Sequence, residues 1–152
     1  MNEEKTIDAL NELVEINNDR IKGYEKAAEN SDERDLKILF STFKQTSKRC
    51  LDELNSEINQ FGGKATKETN GSGKFFRSWM DFKASLTGND RKAILNSCEY
   101  GEKSADETYQ RILNDESEYL SPQQQSMIKE QHNQLKSDRN KIQSMLNNLV
   151  EA

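Results

Sequence analysis

The sequence contains few apolar residues, few glycines and very little proline, cysteine or histidine. Leucine, isoleucine, valine and phenylalanine make up 30 of its 152 residues. This share of about 20% borders on the composition of disordered chains. There are only one proline and seven glycines, and the net charge is a modest −5. No run of about 18 apolar residues occurs, so no membrane span is predicted. Whether the chain folds therefore depends on how its few apolar residues are spaced.

The first six residues, MNEEKT, have no apolar core of the kind found in a secretory signal peptide. This favours a cytoplasmic protein, in which cysteines are kept reduced. We therefore expect Cys50 and Cys98 to be free thiols that are buried in the helical core and chemically inert.

Apolar residues recur three and four positions apart along most of the chain, which is the spacing of one helix face. The clearest example is the seven-residue repeat of Ile128, Leu135, Ile142 and Leu149. No segment alternates as a β-strand would. We predict an all-α four-helix bundle that forms a single domain over residues 1–152. The predicted long helices span residues of about 5–30, 32–61, 89–115 and 121–150.

Residues typical of helix ends support these bounds. Ser121 is the expected N-cap of the last helix, with Pro122 at its first position and Gln124 at its third. Gly62 and Gly63 follow the second helix, where a residue with positive φ commonly ends a helix. Asn30 is the expected N-cap of the second helix, with Glu33 three positions later.

The lengths of the connections predict how the helices are arranged. The first and third connections are short, so each joins two antiparallel neighbours. The second connection, of about 25 residues, carries a predicted short helix at about 74–87 and is long enough to run the length of the bundle. This length favours the crossover topology of ferritin-like bundles over a simple up-down meander.

Three segments of the chain carry a resemblance to a known family. They are EINNDRIKGYEKAAE (15–29), RSWMDFKASLTGND (77–90) and AILNSCEYGEKSADETY (93–109). They resemble an uncharacterised bacterial family of four-helix-bundle proteins, which is grouped with the ferritin-like fold and known as a domain of unknown function. The resemblance implies the fold, but it implies no activity, substrate or cofactor.

The sequence lacks the ligand pattern of a dinuclear metal centre. Such a centre needs an inward Glu from each of two helices and a Glu-x-x-His pair from each of the other two. His132 is the only histidine, and Glu130 stands two positions before it instead of three. We therefore expect no cofactor. The alternative is a weak site for iron or another divalent metal, formed by Glu102 with Glu25 and His132.

Polar residues are predicted at the depth where a ferritin-like bundle would hold its metals. Glu102 lies on an apolar stripe, and a buried carboxylate has to be paired, hydrogen-bonded, metal-bound or protonated. We expect a hydrogen-bonded network in which Arg20 or Arg139 is the counter-ion of Glu102. The predicted layer comprises Asn17, Asn18, Arg20, Gln45, Ser47, Glu102 and Arg139.

The short helix predicted at 74–87 is rich in aromatic residues. Its aromatic side chains are Phe75, Phe76, Trp79 and Phe82. We expect them to seal one side of the bundle as a lid or to form a dimer contact. The alternative is docking on a membrane surface, since basic amphipathic helices do this.

The remaining features favour a protein without catalytic activity. No basic stripe for nucleic acid, no phosphate-binding loop and no nucleophile elbow occurs. We predict a non-enzymatic helical-bundle protein with a stress-related role, which acts by self-association, as a homo-oligomer such as a dimer, or by binding a partner. The alternative is a degenerate ferritin-like protein that binds a metal or carries out redox chemistry around Glu102.

Overall fold

The structure, a computed structural model, describes residues 2–62 and 91–151, and within these two ranges it contains four α-helices and no strand. Helix α1 is Glu3–Glu29, α2 is Arg34–Gln60, α3 is Arg91–Asp115 and α4 is Pro122–Glu151. A short 3₁₀ helix, Ser117–Tyr119, precedes α4. The predicted all-α four-helix bundle is confirmed. None of the described helices combines the length and the apolar character that a bilayer span requires.

The aromatic helix predicted at 74–87 lies outside the described residues. The same holds for its four aromatic side chains, Phe75, Phe76, Trp79 and Phe82, and for the choice between a lid, a dimer contact and a membrane contact. These expectations stay predictions.

Two of the predicted helix ends are confirmed in detail. The Ser121 backbone N–H donates to Oε1 of Gln124 at 2.9 Å, and the Gln124 backbone N–H donates to Oγ of Ser121 at 3.1 Å. This reciprocal pair is a capping box, which satisfies two backbone donors at the start of α4. Helix α2 ends at Gln60 with Phe61 as its C-cap, and Gly62 follows with a φ of 72°. A residue with a side chain would be strained in that conformation.

The predicted N-cap of α2 is wrong. Asn30 is instead the C-cap of α1, where its side-chain Nδ2 donates to the carbonyl oxygen of Lys26 at 2.7 Å. The last carbonyl groups of a helix lack hydrogen-bond partners within the helix, so a nearby side-chain amide such as this one donates to them. It is Ser31 whose Oγ accepts from the backbone N–H of Glu33, at 3.2 Å. Helix α2 then begins at Arg34.

Helix α1 runs antiparallel to both α2 and α3. Between α1 and α2, Arg20 contacts Ser47 and Glu25 contacts Lys44, so the residue numbers rise along one helix and fall along the other. Between α1 and α3 the order is also reversed, because Glu12 pairs with Arg111 and Arg20 pairs with a residue nine positions earlier, Glu102. Since both helices oppose α1, α2 and α3 are parallel to each other.

Contacts at the helix ends agree with this arrangement. Arg91, at the start of α3, pairs with Glu33 and with Asp35 at the start of α2, the latter at 2.8 Å. The other end of α2 meets the start of α4, where Gln124 donates to Glu57 at 3.1 Å. The chain therefore leaves α2 at one end of the bundle and enters α3 at the other. The described helices have the orientation that the predicted crossover requires, and an up-down meander would instead make α2 and α3 antiparallel.

The apolar core is divided into two clusters along the bundle. The first surrounds Leu13, Leu54 and Ile112, and the second surrounds Phe40 and Ile94. Neither cysteine forms a disulfide and both are buried, as predicted, with Cys50 in the first cluster and Cys98 in the second. Between the two clusters lies a layer of buried polar side chains.

Candidate functional site

A buried arginine occupies the centre of the polar layer. The side chain of Arg20 is fully closed to solvent, and its Nε and Nη2 donate to the two carboxylate oxygens of Glu102 at 2.6 and 3.0 Å. Nη2 also donates to Oδ2 of Asp138 at 3.1 Å, and Nη1 donates to Oγ of Ser47 at 2.5 Å. One guanidinium group from α1 thus links α2, α3 and α4.

Helix periodicity places these partners of Arg20 inside the bundle. Asp138 follows Leu135 by three positions and precedes Ile142 by four, so it lies on the apolar face of α4. Glu102 follows Cys98 by four positions and precedes Ala105 by three on α3. Each polar side chain therefore replaces one apolar side chain of a stripe, and the layer forms where the polar positions of all four helices reach the same depth.

The guanidinium of Arg20 is the counter-ion of two carboxylates, those of Glu102 and Asp138. Glu102 is 2% exposed and Asp138 is 5% exposed. Burial raises the pKa of Asp138, against the opposing attraction of Arg20. Two neutral groups stabilise these charges. Gln134 donates to Oδ1 of Asp138 at 3.2 Å, and the ring of Tyr24 lies 5.4 Å from the guanidinium carbon of Arg20. Burial also raises the pKa of Tyr24 well above its usual value, so the ring carries no charge.

A second buried network adjoins the arginine on the side of the first core cluster. Asn17 donates through Nδ2 to the carbonyl oxygen of Leu13 at 2.8 Å and to the hydroxyl of Tyr109 at 2.9 Å. The Tyr109 hydroxyl donates to Oε1 of Gln131 at 2.8 Å, and Gln131 donates to Glu53 at 3.0 Å. This chain of hydrogen bonds also joins all four helices, and it ends at the surface carboxylate of Glu53.

A third group of polar residues lies at the rim of the bundle between α3 and α4. His132 is hydrogen-bonded through Nε2 to Oδ1 of Asp106 at 2.5 Å, and its ring stacks on Tyr109 with the centroids 5.8 Å apart. Arg139 donates to Asp106 at 3.2 Å and to Glu99 at 2.9 Å. Arg139 is half-buried, and it is the counter-ion of these rim carboxylates and not of Glu102.

The predicted polar layer is assembled in part. Four of its members are buried together at mid-bundle, and they are Asn17, Arg20, Ser47 and Glu102. Asn18 is half-buried beside them. Gln45 is exposed and does not belong to the layer, since the buried positions of that turn are Thr46 and Ser47. A helix turns by about 100° per residue, so a shift of one position moves a side chain from the surface to the core.

Asp138 is the member of the site that the sequence analysis missed. Its place between Leu135 and Ile142 in the seven-residue repeat is the signal that could have revealed it. The neighbouring Arg139 was predicted instead, because an arginine is the obvious counter-ion for a buried Glu102. The repeat alone shows that position 138 points inward and that position 139 points to the edge.

The residues proposed for a metal site do not come together. Glu25 is exposed and pairs with Lys44, His132 pairs with Asp106, and Glu102 pairs with Arg20. In the part of the chain that the structure describes, no group of three or more His, Cys, Asp and Glu side chains could hold a metal ion. The two facing carboxylates, Glu102 and Asp138, do not fit a metal either, because the guanidinium of Arg20 fills the space between them.

Comparison with known proteins identifies a family. A family model described as a domain of unknown function (DUF2383) matches residues 5–115, which is more than half of the chain. No curated protein matches the chain. The matched residues include Arg20, Ser47 and Glu102, and they end before Asp138.

Proposed function

The chain belongs to the DUF2383 family of domains of unknown function, and within that family we propose that it is a non-enzymatic, ferritin-like helical-bundle protein. It acts by self-association or by binding a partner, and it has no resident metal. The proposal is argued from the polar layer, which is the place where a bundle of this type would otherwise carry out chemistry.

The observation that carries the proposal is the position of the Arg20 guanidinium. In di-iron carboxylate bundles the inward carboxylates of the four helices bind metal ions at mid-bundle. Here both oxygens of Glu102 and one oxygen of Asp138 accept hydrogen bonds from Arg20, at 2.6 to 3.1 Å. The Arg20 guanidinium thus occupies the place that a bound metal ion would take in such a bundle. A paired, hydrogen-bonded arginine fixes how the four helices pack, and it supplies no open coordination position.

The alternative function is a degenerate metal-binding or redox protein, with iron or another divalent metal near Glu102. One observation favours it, which is that Glu102 and Asp138 reach a common point from two helices. A metal ion could bind both carboxylates only after Arg20 had moved away. Binding would therefore require the loss of a fully buried ion pair.

Self-association is the part of the proposal that rests on general experience, since closed dimers are the most common assemblies of single chains. Size-exclusion chromatography with light scattering tests it, and we expect a mass of twice 17.5 kDa. A mass of 17.5 kDa at every concentration would leave partner binding as the mode of action. The stress-related role and the cytoplasmic location stay predictions.

The decisive test of the proposal is elemental analysis of protein purified without a chelator. We expect iron, manganese and zinc far below one ion per chain, both in the wild type and in Glu102→Ala. Glu29→Ala, which changes an exposed carboxylate of α1, is the control. Near-stoichiometric metal that is lost in Glu102→Ala but kept in Glu29→Ala would overturn the proposal and establish the alternative.

A further inference from the structure

We propose that Glu102, Asp138 and Ser47 form a cation-binding cage whose native ligand is the protein's own Arg20 guanidinium, and that the cage binds a small alkylguanidinium ion when this side chain is removed. The inference deepens the proposed function and rests on it in one respect, which is that Arg20 is the resident cation. The ligand class is a planar organic cation.

The cage matches the forked shape of a guanidinium group. Four oxygen atoms from three helices surround Arg20, and each accepts a hydrogen bond at a distance between 2.5 and 3.1 Å. The bond to Glu102 is bidentate, with two parallel N–H groups that face two carboxylate oxygens. This geometry suits a planar guanidinium and is poorly matched by a compact ammonium ion.

The cage does not depend on Arg20 alone for its shape. Gln134 also holds Asp138 in place. It donates at 3.2 Å to Oδ1, the carboxylate oxygen that does not accept from Arg20. The helix segments that carry the cage residues are fixed by the core clusters on either side, through side chains such as Cys98, Ala105 and Ile142. Removing the arginine side chain should therefore leave a buried cavity lined by carboxylate oxygens.

Without Arg20, Glu102 and Asp138 would be two buried carboxylates with no cation between them, which is a strongly unfavourable state. A ligand that restores the positive charge and the hydrogen bonds should bind the folded variant and not the unfolded chain, and it should stabilise the fold accordingly. An Arg→Ala change removes the atoms of ethylguanidinium, so this ion is the complementary probe.

The experiment compares probes on the Arg20→Ala variant of the full chain. The variant is refolded with ethylguanidinium at millimolar concentration, with ethylammonium, which has the charge but not the fork, or with N-ethylurea, which has the shape but not the charge. The folded fraction and the thermal midpoint are followed by circular dichroism. We expect ethylguanidinium alone to raise the folded fraction saturably and to raise the midpoint by roughly 5–10 °C near saturation.

Two reference proteins make the result specific to the cage. The wild type has its own guanidinium in place and should not respond. The variant Arg20→Ala/Glu102→Gln/Asp138→Asn keeps the shape of the cavity but removes its negative charge, and it should not respond either. An equal response of this neutral variant would overturn the proposal, because stabilisation would then not require the carboxylates.

The remaining outcomes also decide the matter. If Arg20→Ala stays unfolded at every ethylguanidinium concentration, or responds equally to N-ethylurea, the cage is not a cation site. If manganese stabilises Arg20→Ala and ethylguanidinium does not, the cage prefers a metal ion and the assigned ligand class is wrong. These results are independent of the metal content of the wild type, so the failure of the cage and the failure of the proposed function are distinguishable.

Discussion

Arg20 and Glu102 lie 82 positions apart in the chain, yet their side chains form a bidentate ion pair that is closed to solvent. Nothing in either helix alone requires this contact. It depends on the antiparallel packing of α1 and α3, and it draws in Asp138 from α4 as a second acceptor. Such a pair contributes little relative to apolar residues of the same volume, but removing one partner leaves an uncompensated buried charge. Removing one partner should therefore destabilise the protein more than removing the whole pair.

The first prediction concerns the loss of the buried cation. Arg20→Met keeps much of the side-chain volume but leaves Glu102 and Asp138 without their counter-ion. We expect the free energy of unfolding to fall by about 3–5 kcal/mol, measured by urea denaturation. The control is Arg20→Met/Glu102→Gln/Asp138→Asn, which removes all three charges and should recover a large part of the loss. A triple variant less stable than Arg20→Met would contradict the charge argument.

The second prediction concerns pH. Burial raises the pKa of Asp138 above its ordinary value of 3.8, so the folded protein holds this proton more tightly than the unfolded chain does. The resulting contribution to stability is fully present below the ordinary pKa, and it is lost as the pH rises through the raised one. The free energy of unfolding of the wild type minus that of Asp138→Asn should therefore decrease as the pH rises above 3.8.

Urea denaturation of both proteins at closely spaced pH values measures this difference, in which the titrating groups that do not interact with Asp138 cancel. Glu102 does not cancel, because the charge of Asp138 also raises the pKa of Glu102, and this acts in the same direction. Asp52→Asn, which changes an exposed aspartate of α2, is the surface control. A difference that increases with pH would mean that attraction to Arg20 dominates at Asp138 and that burial does not.

The third prediction concerns the hydrogen-bonded chain through Tyr109. Tyr109→Phe keeps the ring that stacks on His132 but removes the hydroxyl that donates to Gln131 and accepts from Asn17. Because Oε1 of Gln131 then has no donor in a buried site, we expect a loss of about 1–3 kcal/mol. Tyr119→Phe is the matched control, because its hydroxyl accepts from Lys5 at 3.2 Å in an exposed contact that water can replace, and it should change stability by less than about 0.5 kcal/mol. Equal effects of the two changes would argue against a structural role of the network.

The fourth prediction concerns the thiols. Burial raises the pKa of Cys50 to about 11, so a native thiol at pH 8 is protonated as well as inaccessible. In the Cys98→Ser variant, Cys50 should react with a thiol reagent only after the protein unfolds. An introduced surface thiol, Ser56→Cys, should react within the mixing time. Rapid labelling of Cys50 in the native protein would show that the first core cluster opens easily.

Local patterns were enough to predict the helices, because the residues that form them are close in sequence. The apolar repeats place the helices, and the capping box of Ser121 and Gln124 and the positive φ of Gly62 follow from residue type alone. Asn30 shows where such reasoning fails. Its amide can serve either the helix before it or the helix after it, and the choice depends on which backbone groups lie within reach.

The candidate site was predictable only in outline. The stripes indicate that Arg20, Ser47 and Glu102 reach the core at a similar depth. The repeat of α4 also places Asp138, and not the adjacent Arg139, on the inward face, because the two are about 100° apart around the helix. The repeat does not determine how far α4 is shifted along its neighbours, and that shift decides that Asp138 meets Arg20.

The sequence by itself thus determined an all-α chain, its helix ends in most places and the presence of polar residues at mid-bundle, since these depend on spacing along one helix. The tertiary structure alone decided that Arg139 pairs at the rim with Asp106 and Glu99 and that Arg20 stands between Glu102 and Asp138. These contacts join residues far apart in the chain, and they depend on how each helix is rotated and shifted against its neighbours. Packing of the whole core sets those rotations, and no single helix contains that information.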